Sequence, residues 1–126
     1  MANKKYKEPE ELPVWQKAHE LTLTIYEETQ SFPKSEIYGL TSQIRRSSSS
    51  IGANISEGFS RNSTKELISY LYNARGSCGE TKYHLRLSKD LGYLKEDLYN
   101  KLLDGYNEVG KQLNGWITSL REKLSH

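Results

Sequence analysis

Three histidines, one cysteine and a run of four serines are the residues of this sequence whose types could carry out chemistry. His19 and His84 fall in separate segments with no cysteine or second histidine at ligand spacing, and His126 is the last residue. A zinc-type site needs several such donors converging, so no metal is expected. Cys78 lies on an apolar flank, where a thiol is more often a small core group than a nucleophile. Ser47, Ser48, Ser49 and Ser50 have no base beside them in sequence, and a serine nucleophile needs one. No glycine-rich phosphate loop follows a strand, because there are no strand-like runs. These residues point to a protein without a catalytic site, a cofactor or a small-molecule substrate.

Two groups of polar residues remain. Asn54, Glu57 and Arg61 share one side of a helical segment, and Arg75 and Glu80 lie on the next. If those segments pair antiparallel around a turn at 59–64, Glu57 and Arg75 come within reach of each other. That contact would be a partly buried ion pair fixing register or the wall of a polar pocket, the first being the simpler reading. The second group is basic. The net charge of +2 is too small to argue nucleic acid, but residues 61–92 carry six basic and three acidic groups, whereas residues 1–32 carry four and six. Lys82, Arg86 and Lys89 line up as a stripe that could contact RNA or phosphate. A merely solvated face is the default alternative.

The elements that must position these residues are helices. The chain has 126 residues, the size of one domain. Residues 1–11 are polar and mixed in charge, which suggests a mobile tail before a bundle over residues 12–126. Hydrophobic periodicity and its punctuation place helices at about 13–31, 36–60, 63–91 and 95–124. Pro13 suits a first turn, and Pro33 ends the first helix. Ser63 and Glu66 make a capping box, and Gly92 stops the third helix. The second helix has the face Ile37, Leu40, Ile44, Ser48, Ile51, Ile55 and Phe59. Its serine run and Gly52 would make either a flexible break or a place where backbones approach closely, and close packing is the preferred reading. The fourth has the seam Leu98, Leu102, Val109, Leu113, Trp116, Leu120 and Leu124. Short loops make sequential helices antiparallel neighbours, so the expected fold is an all-α, antiparallel, up-and-down four-helix bundle. A single cysteine suggests a reducing compartment. With no stretch near about 20 apolar residues and no signal-like N-terminus, the expected location is cytoplasmic, away from membranes.

The third helix carries two apolar flanks. Leu67, Leu71, Ala74, Cys78 and Leu85 fall on one, Ile68, Tyr72, Gly76, Gly79, Tyr83 and Leu87 on the other, and Glu66, Asn73, Ser77 and His84 at the back. One flank closes a bundle, and a second asks for a partner. Glycines in a helix interior each cost about 1 kcal/mol, so Gly76 and Gly79 between Tyr72 and Tyr83 suggest a helix of another subunit lying close. The alternative is a central helix whose two flanks both face its own bundle.

Several segments together carry a resemblance: Val14-Trp15-Gln16-Lys17-Ala18, Tyr38 through Arg46, Asn54-Ile55-Ser56-Glu57-Gly58, Ala74-Arg75-Gly76-Ser77 and Leu91-Gly92-Tyr93-Leu94. In this order they resemble the four-helix-bundle proteins encoded in intervening sequences of bacterial large-subunit ribosomal RNA genes, over about residues 12–122. The resemblance implies a ring-like homopentamer. It also implies kinship with the accessory variability protein of diversity-generating retroelements, which binds a reverse transcriptase and nucleic acid. Arg45, Arg46, Asn54, Glu57, Arg61, Arg75 and Gly76 are the motif positions it carries over, with no catalytic role attached. The function expected from residues and resemblance together is a non-enzymatic, self-assembling interaction or scaffold protein in possible contact with RNA. The alternative is a nucleic-acid-binding accessory factor to a reverse transcriptase.

Overall fold

The computed structural model describes residues 5–125. The first helix, α1, spans Pro13–Glu28 and buries Val14, Ala18, Leu21 and Ile25. It ends three residues before the expected 31, because its last turn tightens into a 3-10 turn at Thr29–Ser31. The Thr29 hydroxyl donates to the Ile25 carbonyl at 2.7 Å, and the Arg45 guanidinium donates to the Tyr26 carbonyl at 3.2 Å and to Thr29 Oγ1 at 2.8 Å. A cation on the last carbonyls suits the negative end of a helix.

The second helix, α2, spans Leu40–Phe59 rather than beginning near 36. Lys34–Glu36 form a separate 3-10 turn, and Gly39 has a non-helical backbone. Glu36 then caps the helix from outside it, its carboxylate accepting the Leu40 N–H at 3.0 Å. Ile37, expected on the buried face, is 56 % exposed as a result. The helix runs unbroken through Ser47–Gly52, so the serine run is a packing feature and not a hinge.

Helix α3, Thr64–Asp90, starts where the capping box places it: the Ser63 hydroxyl accepts the Glu66 N–H at 3.3 Å. It stops in a Schellman motif. Gly92 adopts φ +81°, its N–H reaches the Lys89 carbonyl, and the Tyr93 N–H reaches the Ser88 carbonyl. Helix α4 spans Glu96–Leu124. It buries Leu102, Val109, Leu113 and Leu120 as expected, and adds Tyr99, Gly105, Tyr106 and Ile117. Trp116 and Leu98 sit half-buried at the margin, and Leu124 is exposed.

The four helices form an all-α, up-and-down bundle in which α1 and α3 each pack on both α2 and α4. Two glycines allow the closest approaches. A Cβ on Gly58 would lie 2.9 Å from Tyr70 Cβ, and one on Gly105 would lie 2.7 Å from Leu21 Cδ2. Of the expected tail over 1–11, Pro9–Glu11 form a 3-10 turn and Tyr6 packs against the core, while residues 1–4 lie outside the described residues, as does His126. No described helix is long and apolar enough to cross a membrane.

Candidate interaction surfaces

The serine run builds a polar seam between α2 and α3. Small side chains at 47 and 81 let the helices approach, and the hydroxyls then have to satisfy one another. Thr81 donates to Ser47 at 2.9 Å with both residues buried, and Ser50 and Ser77 share a hydrogen bond at 2.9 Å. Asn54 donates to the Ser50 carbonyl and hydroxyl at 2.9 and 3.0 Å. Ser77, expected at the back of α3, therefore faces α2. The seam ends at a surface group in which Arg46 pairs with Glu80, and His84 Nε2 lies 3.2 Å from the same carboxylate. These hydroxyls hold helices together.

The residues of the expected polar cluster do not converge. Arg45 lies at the end of α1, Arg46 and Asn54 along the seam. The expected approach of Glu57 to Arg75 does not occur. Glu57 pairs within its own helix end with Arg61 at 2.6 Å, and Arg61 also donates to the Tyr70 hydroxyl at 2.8 Å. Arg75 points the other way around α3, toward α4. It lies 4.8 Å from the Tyr72 ring centroid and donates to Asn114 Oδ1 at 3.1 Å. Pairing of sequential helices was readable; which side of α3 meets α2 was not.

The basic stripe also turns toward α4, and each cation has a partner. Lys82 donates to Asn107 Oδ1 at 3.1 Å, Arg86 pairs with Asp90 at 3.0 Å, and Lys89 Nζ lies 4.7 Å from the Tyr99 ring centroid. Beside Lys82, an open groove of about 400 Å³ is lined by Asp104, Glu108 and Lys111 as well. Its balanced charges give little field for phosphate.

The outer face of α3 is different. Of the second flank only Ile68 is buried, and Leu87 and Tyr72 are half-buried. Gly76 and Gly79 are exposed, with nothing within 4 Å of a Cβ built on either, and Tyr83 is 61 % exposed. The bundle therefore takes in Ile68, partly covers Tyr72 and Leu87, and leaves the centre of this flank at Gly76, Gly79 and Tyr83 bare, so the alternative that the whole of both flanks faces one core does not hold. The Tyr72 hydroxyl accepts from Arg121 of α4 at 2.9 Å, so two arginines frame one tyrosine at the lower edge of the face. Arg121 and Asn114 escaped the sequence reading, because nothing in their spacing links them to α3.

A second surface that spacing alone did not single out lies between α1 and α2. Trp15 stacks on His19 with centroids 4.7 Å apart and donates to Ser56 Oγ at 2.9 Å. With Thr22, Ser49, Gly52 and Ala53 they line a hollow of about 300 Å³, and Gly52 lies beneath the indole. The i, i+4 spacing of Trp15 and His19 was the available signal. Inside the bundle, burial raises the Cys78 thiol above its ordinary range, which keeps it a core group whose S–H reaches the Tyr106 carbonyl.

Comparison with known proteins gives the chain a family. The family described as 23S rRNA-intervening sequence protein matches residues 10–115. Among solved structures, the chain resembles a protein of unknown function from the S23 ribosomal protein family of Bacteroides thetaiotaomicron VPI-5482. The identity is 29 %, the TM-score is 0.75, and the match covers 82 % of this chain and 97 % of that one. Comparison with curated protein sequences gives no match. With a match over most of its length and a bundle to go with it, the chain belongs to the 23S rRNA-intervening sequence protein family.

Proposed function

We propose that this protein is a non-enzymatic, cytoplasmic interaction or scaffold module that works as a homo-oligomer, assembled through the outer face of α3. The observation that supports this most is the open patch of Gly76, Gly79 and Tyr83, bordered by the half-buried Tyr72. Two helix-interior glycines with open space above them forgo about 1 kcal/mol each, and nothing inside the chain packs there in return. A second copy would supply the missing contact. The resemblance implies five copies in a ring, which requires a heterologous contact between two different patches. Sedimentation tests the reading. Wild type should run several-fold above 14.5 kDa, and Gly79→Arg should run as a smaller species with helicity unchanged. A wild-type monomer at micromolar concentration overturns the reading.

Contact with RNA is the second reading, in the manner of an accessory factor to a nucleic-acid enzyme. It has less support, because Lys82, Arg86 and Lys89 already engage neighbours on the same surface. Binding of structured RNA that weakens steeply with salt, and whose salt slope flattens when all three become Gln, would favour it.

A further inference from the structure

Helix α1 also leaves an organised outer face bare. Gln16, Glu20, Leu23 and Glu27 recur at steps of four, three and four, which puts them on one face. All four are exposed, Leu23 at 57 %. Leu23 is thus an apolar knob between two carboxylates. Across the bundle, two arginines border the bare face of α3: Tyr83 stands between Arg75, which reaches Asn114 of α4, and Arg86, which pairs with Asp90 of its own helix in an exposed contact. Among the described residues Glu20, Glu27 and Arg75 take part in no ion pair.

We infer that the α1 face of one copy docks on the α3 face of the next, with Leu23 against Tyr83, Glu20 toward Arg75 and Glu27 toward Arg86. This rests on the self-assembly reading above and supplies the second patch that reading requires. Two hydrogen bonds set the heights of the faces. Thr22 of α1 donates to the Ser48 carbonyl at 3.1 Å, and Thr81 of α3 donates to Ser47 at 2.9 Å, so residues 22 and 81 lie at nearly one level. Helices α1 and α3 run in the same direction in an up-and-down bundle. At about 1.5 Å per residue, Leu23 comes between the levels of Gly79 and Tyr83. On the same scale Glu27 comes level with Arg86, and Glu20 comes about one turn from Arg75, within reach of a guanidinium.

The two faces cannot meet within one chain, because α1 and α3 each pack on α2 and α4 at opposite corners. Between copies they meet at matching height. Successive copies then join without climbing along the bundle axis, and the row they form closes into a ring only where the rotation from copy to copy brings the last onto the first. The apolar contact supplies adhesion. The charges set orientation and exclude the like-signed pairings of α1 with α1 or α3 with α3.

Charge exchange followed by sedimentation tests the contact. Glu20→Arg with Glu27→Arg should reduce the wild-type assembly to the 14.5 kDa monomer, and so should Arg75→Glu with Arg86→Glu. An equimolar mixture of the two variants should regain high-mass species, because each then meets a partner of matching sign. Wild-type mass retained in both variants overturns this contact and leaves self-assembly to another surface. Monomeric variants whose mixture stays monomeric also overturn the pairing, and a wild-type monomer overturns the assembly reading with it. Circular dichroism checks that each variant stays helical. Should either fail to fold, Leu23→Cys with Tyr83→Cys should form disulfide-linked multimers under mild oxidation, with Cys78 buried and out of reach. A wholly monomeric non-reducing gel overturns the inference.

Discussion

The Thr81 hydroxyl of α3 donates to the Ser47 hydroxyl of α2 at 2.9 Å, with both residues at 0 % exposure. The Ser77 carbonyl, 2.8 Å away, competes for the single Thr81 proton, and the Ser47 hydroxyl has the Ile44 carbonyl as a weaker acceptor at 3.4 Å. The two helices are thus joined by a buried hydroxyl pair in which each member satisfies the other.

Breaking one side of that pair should cost more than removing both. Thr81→Val keeps the volume and leaves Ser47 short of a partner, and should destabilise by about 1–3 kcal/mol. Adding Ser47→Ala should then cost less than the sum of the single changes, with a coupling of about 0.5–3 kcal/mol. Urea unfolding of the four species measures the cycle, and strict additivity would show that the pair contributes no coupling.

Tyr106 presents the opposite case. It is fully buried, and its hydroxyl has no hydrogen-bond partner among the described residues. An unpaired buried hydroxyl costs about 1–3 kcal/mol, so Tyr106→Phe should raise the unfolding midpoint, or at least leave it unchanged. A loss above about 1 kcal/mol would reveal a partner for that oxygen.

The same burial makes stability depend on alkaline pH. Burial raises Tyr106 well above its ordinary 10.0, and raises Cys78 above its ordinary 9.0. Above those ordinary values the unfolded chain releases protons that the folded chain keeps, so stability is full below about pH 9 and falls as pH rises beyond it. Tyr106→Phe and Cys78→Ala should each flatten that fall. Thermal unfolding from pH 8 to 11 reads it.

Three glycines in helices should respond in opposite senses. Gly58→Ala places a Cβ 2.9 Å from Tyr70 Cβ and 3.0 Å from Leu67 Cδ1, and should destabilise by about 1–3 kcal/mol through forced separation of α2 and α3. Gly76→Ala and Gly79→Ala meet nothing within 4 Å. In a monomeric background each should stabilise by up to about 1 kcal/mol, the helix-propensity difference. Denaturant midpoints distinguish the two classes.

Loss of the α3 cap gives a local readout. Ser63→Ala removes the acceptor of the Glu66 N–H and should cost about 1 kcal/mol, with faster amide exchange confined to the first turn of the helix. Exchange unchanged at Glu66 would place the start of the helix elsewhere.

Local chemistry made much of this protein legible before its fold. Apolar residues at helical spacing, the Ser63 cap and Gly92 depend on neighbours within a few residues, and they set four helices and the limits of α3. The two-flank character of α3 was legible for the same reason, since a helix turns by a fixed angle per residue. The start of α1 at Pro13 was legible too, but the end of α1 and the start of α2 are held by Arg45 and Glu36, which act from outside the turns they cap. Rotation of α3 against α2 and α4 was decided by the bundle alone. It sent Ser77 and Thr81 to the seam and turned Arg75 away from Glu57. Alternation along one helix orders side chains around that helix only. Which of them meet across helices follows from the joint packing of all four, where a rotation by one residue exchanges partners without changing any helix.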